Sequence, residues 1–266
     1  MFALFHHGLV NDKLKEMCKE KKWSYLSVEE NKVTLAQNIA IELHKKAKYI
    51  YKLDEDMFIT RGFFENLKNT YLKVKEEGKY IPGLVTPLIN INGYSYRIIL
   101  EKANLLNKFE EKFGKACIDA TPGEKILSNS DIAKFLWGND NEEMKDIDEL
   151  SEKFLISEFK YSACPIRFSI GAILMPRETW ENMGKFDVFR GTDLGEDENQ
   201  ICKYCLIESR PVIVSENAVF HRYVDGRSAH RSVYPKGGGG NLGWFGQPVV
   251  FKYAVLDQNI LAAAEP

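Results

Sequence analysis

Asp54 and Asp56 stand two residues apart at the end of an apolar, aromatic-rich run, Tyr49-Ile-Tyr-Lys-Leu-Asp-Glu-Asp-Met-Phe58. On an extended chain, side chains two apart point the same way, so both carboxylates converge on one spot. Two carboxylates that close repel each other unless a cation sits between or near them, and hard divalent cations prefer such oxygen ligands. A metal ion held against a phosphate group is the chemistry this spacing suggests, and a solvated loop is the plainer alternative. A second acidic group, Glu196-Asp-Glu198, opens a segment of helical character, where the helix dipole also favours acids as simple caps. His221 ends an apolar run further on; a histidine there either ligates a metal or simply meets solvent. His6 and His7 are adjacent, and neighbours on a strand face opposite sides, which argues against a two-metal centre.

These residues need a scaffold, and the composition permits one. The chain has 266 residues, 44% hydrophobic and 28% charged, as expected of a globular protein with one large core or two small ones. A net charge of −2 gives no general attraction to nucleic acid, so no nucleic-acid partner is expected. No apolar run approaches the roughly 20 residues of a membrane span, and the start lacks a signal-peptide core. A cytoplasmic protein without a transmembrane segment is the expectation, with peripheral contact at the inner membrane face left open. Five cysteines without framework spacing fit a reducing compartment. Cys202 and Cys205 form a single CxxC within a helical pattern, which reads as buried thiols rather than a zinc or redox pair.

The hydrophobic pattern alternates strand and helix over the first hundred residues. Strands are expected at about 2–6, 23–28, 49–53 and 84–91, and helices at about 12–22, 34–46 and 61–77. Such alternation argues for an α/β fold, a mostly parallel sheet flanked by helices. From about 101 to 160 the sequence turns charged and helix-forming, with Met144, Ile147, Leu150, Phe154 and Leu155 at helical spacing. This stretch reads as a helical insertion on the sheet. Strand character returns at 164–175, followed by a helix from Pro176 to a stop at Gly184, then by closely spaced strands at 211–214 and 218–221. After residue 223 the chain is glycine-rich, with four glycines at 237–240, and the apolar run 247–255 is a candidate for pairing at a sheet edge.

Taken in order, these segments resemble the family 2-like glycosyltransferases of the GT-A fold, over roughly residues 1–223. The DxD motif of that family is matched by Leu53-Asp-Glu-Asp56, and its Gly-x-Phe-Asp helix end by Gly184-Lys-Phe-Asp187. Its Glu-Asp dyad opening a helix is matched by Glu196-Asp197, and its strand ending in histidine by His221. Asn38 matches an asparagine of the helix before the DxD strand. The family's first strand is either missing here or replaced by a later segment, and His6 and His7 stand where its second strand usually carries acids.

The resemblance implies a single GT-A-like, Rossmann-like domain over 1–223, with 224–266 as a glycine-rich loop and C-terminal segment. It implies transfer of a sugar from a nucleotide-sugar, a UDP-sugar by expectation, to a glycan or other acceptor hydroxyl with inversion. Surface glycan or polysaccharide synthesis is where such enzymes commonly act. Asp56 would ligate a divalent metal, with Asp54 reaching the ribose or a metal-bound water and His221 completing the shell. An imidazole ligand favours Mn²⁺ over Mg²⁺. Asp197 would be the general base and Glu196 would orient the acceptor, while Asn38, His7 and Arg227 would lie at the donor. Two other classes fit the same residues: a GT-A-like protein that only binds a nucleotide or glycan, and a haloacid-dehalogenase-type phosphatase with Asp54 as nucleophile.

Overall fold

The computed structural model describes residues 3–7, 11–28, 32–54, 57–119, 125–188 and 195–222. In chain order the elements begin β1 (Ala3–His7), α1 (Asp12–Glu20), β2 (Ser24–Val28), α2 (Val33–Leu43), β3 (Tyr49–Leu53), β4 (Met57–Phe58), α3 (Phe63–Glu77) and β5 (Leu84–Ile89). A helical run follows: α4 (Ser95–Lys102), α5 (Leu106–Phe113), α6 (Lys125–Ser128), α7 (Ser130–Leu136), a 3₁₀ turn (Glu142–Met144) and α8 (Ile147–Leu155). The chain closes with β6 (Tyr161–Ala163), β7 (Ala172–Pro176), α9 (Arg177–Asn182), α10 (Glu196–Ile207) and β8 (Val212–Arg222). The described residues gather in two compact units, one drawn from Met1–Glu55 and Ile170–Arg210, the other from Asp56–Ser169 and Pro211–Gly239. No helix among the described residues is long and apolar enough to cross a membrane.

In the first unit β1 and β2 pair in parallel, with His7 opposite Val28. The helix between them is capped by Asn11, whose side chain accepts the Leu14 N–H at 3.2 Å. One turn apart on its inner face, Leu14 and Cys18 bury against Met17, Trp23 and Tyr25. β3 and β7 pair antiparallel, with Leu53 opposite Ala172. Arg177 fastens this pair to α2. Its Nε donates to Ala47 O at 2.7 Å, and its Nη2 to Ile41 O at 2.8 Å and His44 O at 2.6 Å. The carbonyls at and just beyond the end of α2 gain a charged donor there, in addition to the backbone N–H groups that Ile41 O and His44 O accept.

The second unit is built around β8, which pairs in parallel with β5 and antiparallel with β6 and β4. The sheet is therefore mixed, not mostly parallel. Alternation of strand and helix locates strands but does not fix their direction, and β4 and β6 are too short to register in a hydrophobic pattern. β5 is buried along its whole length. Pro87 has no N–H to give the ladder, and the β5–β8 register shifts between Pro87 and Leu88, which pair with Ser215 and Val219. The bulged residue Asn217 is held by its side chain, which accepts from Lys160 N at 2.9 Å and donates to Phe154 O at 3.0 Å. The two strands expected at 211–214 and 218–221 are thus one strand with a bulge in the gap between them.

The stretch carrying Met144 to Leu155 at helical spacing is divided. Asp146 accepts from Asp148 N at 2.9 Å and Glu149 N at 3.0 Å, starting α8 afresh after the 3₁₀ turn. Gly138, with φ +80°, lets the chain after α7 pass close to that turn, for a Cβ there would lie 2.4 Å from Lys145 N. Gly138→Ala combines this clash with a left-handed backbone and should destabilise the protein by about 3 kcal/mol or more. Denaturant unfolding would measure it, and a loss under about 1 kcal/mol would show that the turn can shift.

Candidate functional site

The site grows from β3. Along this strand Ile50, Tyr51 and Lys52 are all buried, so both faces are covered and the Lys52 ammonium is taken out of water. A charge in such a place must be paired. Lys52 Nζ donates to Asp54 Oδ1 at 2.7 Å and to Ile170 O at 3.0 Å. It also lies 3.6 Å from Asp197 Oδ2. Burial alone would push the Lys52 pKa down, but the negative charges of Asp54, Asp197 and Glu198 outweigh it and hold the ammonium above its ordinary value.

Asp197 reaches this point from the first turn of α10. Gly195 at the N-cap adopts φ +79°, which brings Glu196, Asp197 and Glu198 together at the positive end of the helix dipole. Asp197 is buried; its Oδ2 accepts from Gln37 Nε2 at 2.7 Å and its Oδ1 from Glu198 N at 2.9 Å. The other end of the Gln37 amide, Oε1, is buried without a hydrogen-bond partner. Gln37 and Lys52 also line a cavity of about 10 Å³ with Ile50 and Met175, enough for one water at most. Solvent meets the cluster at Asp54, whose side chain is 31% exposed against 6% for Lys52 and for Asp197. Asp54 is fixed at the end of β3 by its own N–H, which donates to Gly171 O at 2.7 Å.

Asp54 and Asp197, singled out separately in the sequence, are therefore brought to one ammonium. The expected neighbour of Asp54 is a divalent cation; what the structure places against it is Lys52. Glu196 is half-buried at the start of α10 and accepts from Asn199 Nδ2 at 3.3 Å. Asn38, expected at the donor, is engaged inside the fold. Its Oδ1 accepts from Trp180 Nε1 at 2.9 Å and Phe186 N at 3.1 Å, and its Nδ2 donates to Phe186 O at 2.7 Å. It fastens the Gly184-Lys-Phe-Asp187 turn to α2.

The backbone of His221 lies opposite Phe58 in the β4–β8 ladder, two residues along the chain from Asp56. Asp56, Arg227, the glycine run at 237–240 and the apolar run 247–255 lie outside the described residues, as do the side chains of His7 and His221. Among the described residues no group of three or more His, Cys, Asp or Glu side chains is set to hold a metal ion. The described acids do not by themselves fit a metal centre, because Asp54 and Asp197 are matched to an ammonium. In the CxxC pair Cys202 is half-buried and Cys205 buried, and burial pushes the Cys205 thiol up to about 12.

Lys52 and Gln37 are members of the cluster that sequence reasoning passed over. A signal was present for Lys52: it stands two residues before Asp54, on the same face, and is the one charge inside an apolar strand. Gln37 gave a weaker sign as a polar residue within the apolar run of α2. Comparison of the chain with protein-family models, curated proteins and solved structures returned no match.

Proposed function

We propose that this chain is a metal-dependent, inverting glycosyltransferase that moves a sugar from a nucleotide-sugar, by expectation a UDP-sugar, to an acceptor hydroxyl in glycan synthesis. The observation that supports this reading is the meeting of Asp54 and Asp197 at Lys52. The first comes from the DxD motif and the second from the Glu-Asp dyad, and sugar transfer needs a donor-side and an acceptor-side carboxylate near one carbon.

In this reading Asp197 takes the proton of the acceptor hydroxyl as the hydroxyl attacks the anomeric carbon, and Glu196 orients the acceptor. Asp54, the more exposed of the two paired acids, faces the donor. Asp56 and His221 would hold the metal, since a carboxylate and an imidazole suit Mn²⁺. When bound it would offset the negative charge of the diphosphate.

The test is a thermal-shift panel of nucleoside diphosphates with and without Mn²⁺. A ligand at about 100 times its Kd adds about 2.7 kcal/mol, which for a chain of this size raises the midpoint by roughly 5–10 °C. One nucleotide giving a metal-dependent shift of that order is the expected result, and no shift with any nucleotide would overturn the reading. Hydrolysis of an aryl phosphate that disappears in Asp54→Asn would favour the phosphatase instead.

A further inference from the structure

We infer that Lys52 is a positioning residue: its ammonium is a built-in cation that sets the base-side carboxylate Asp197 against the donor-side carboxylate Asp54 before any ligand arrives. The assignment of sides rests on the glycosyltransferase reading, but the charge pairing does not. Lys52 Nζ spans the two acids at 2.7 Å and 3.6 Å, and its bond to Ile170 O at 3.0 Å fixes it from a third direction. Two acids gathered without a cation would repel each other. Gln37 supplies a single neutral donor to Asp197 and carries no balancing charge.

An ammonium on a strand suits this task in a way that a diffusible ion does not. It is present at fixed stoichiometry, and its buried side chain is held by the strand once the chain has folded. The backbone on both sides is also tied down. Asp54 N donates to Gly171 O at 2.7 Å, and Ile170 N donates to Glu198 Oε2 at 3.4 Å, which links the Lys52 acceptor segment back to α10. The arrangement joins the end of β3, the segment before β7 and the first turn of α10 through one nitrogen. Displacing Asp197 by an ångström from a reacting hydroxyl would cost about 100-fold in rate.

The test uses the full chain with Lys52→Met, with Lys52→Arg, and with the charge-free triple substitution Lys52→Met, Asp54→Asn and Asp197→Asn. The first readout is thermal unfolding without ligand. Lys52→Met should lower the midpoint, or prevent folding, because it removes the cation between two acids. The triple variant should fold and regain roughly half of that loss or more, since the two acidic charges are removed together with the cation. A triple variant less stable than Lys52→Met would overturn the pairing, whatever the chain's activity.

The second readout is sugar transfer by whichever of Lys52→Met and Lys52→Arg folds. The value of kcat should fall about 100-fold in the methionine variant, with donor KM within about threefold of the parent and partial recovery with arginine. An unchanged kcat, or a loss carried by KM alone, would overturn the positioning role. If the parent protein shows no metal-dependent nucleotide shift, the glycosyltransferase reading fails separately and the unfolding readout still decides the charge pairing.

Discussion

Asp197→Asn should lower sugar transfer by about 10²–10⁴-fold, the usual contribution of a positioned general base, while leaving the protein folded and able to bind its nucleotide. The substitution keeps the side-chain volume and the oxygen that accepts from Glu198 N. It removes the negative charge near Lys52, which still has Asp54 at 2.7 Å and Ile170 O at 3.0 Å. The new amide would set its N–H₂ against Gln37 Nε2, two donors facing each other. Gln37 can resolve this by turning its amide over, because its Oε1 has no hydrogen-bond partner at present. The structural cost should therefore be modest, about 1 kcal/mol, against a loss of transfer several times larger in free energy. Initial rates and the nucleotide thermal shift, measured on one preparation, separate the two effects. Undiminished transfer in the asparagine variant would remove Asp197 from the base role.

Asp56→Asn should abolish the Mn²⁺-dependent part of the nucleoside diphosphate shift. Changes to residues that only support a metal's ligands weaken affinity by about 10–100-fold, and losing a direct carboxylate ligand should exceed that. Asp54→Asn should be milder toward metal, because the Asp54 carboxylate is matched to the Lys52 ammonium. The contrast between the two variants is the informative result. Equal losses would mean that Asp54 leaves Lys52 to join the metal, and an intact shift in Asp56→Asn would mean that the proposed metal site is wrong. Titrating each variant with Mn²⁺ at saturating nucleotide supplies both numbers.

Much of the scaffold was legible in the residues. The strand at 49–53 and the helices behind it follow from plain periodicity, and α10 is announced by a glycine followed by three acids. Strand direction was not legible, because an antiparallel partner such as β7 shows the same apolar run as a parallel one. The break in β8 was read as two strands because Ser215-Glu-Asn217 carries polar turn-forming side chains, and its cause, Pro87, sits in another strand. At the site, the acids were legible as separate motifs and their common partner was not. Lys52 becomes significant only when α10 folds over the end of β3 and closes the ion pair. Asn38 is expected at the donor, but its hydrogen bonds run inward to Trp180 and Phe186, a partnership that spans the unit and leaves no local trace.

In the set of Lys52, Asp54 and Asp197, one ammonium answers for two acids. Losing Lys52 alone would leave the buried Asp197 without its cation, a change that typically costs about 3–5 kcal/mol, a large part of the 5–15 kcal/mol that keeps a domain folded. Lineages descending from this chain would then cross between charged and neutral versions of the cluster rarely, and through paired changes. Drift at these positions should be slow even where catalysis has been abandoned. A copy that kept all three residues would not, on that ground alone, be known to have kept its activity.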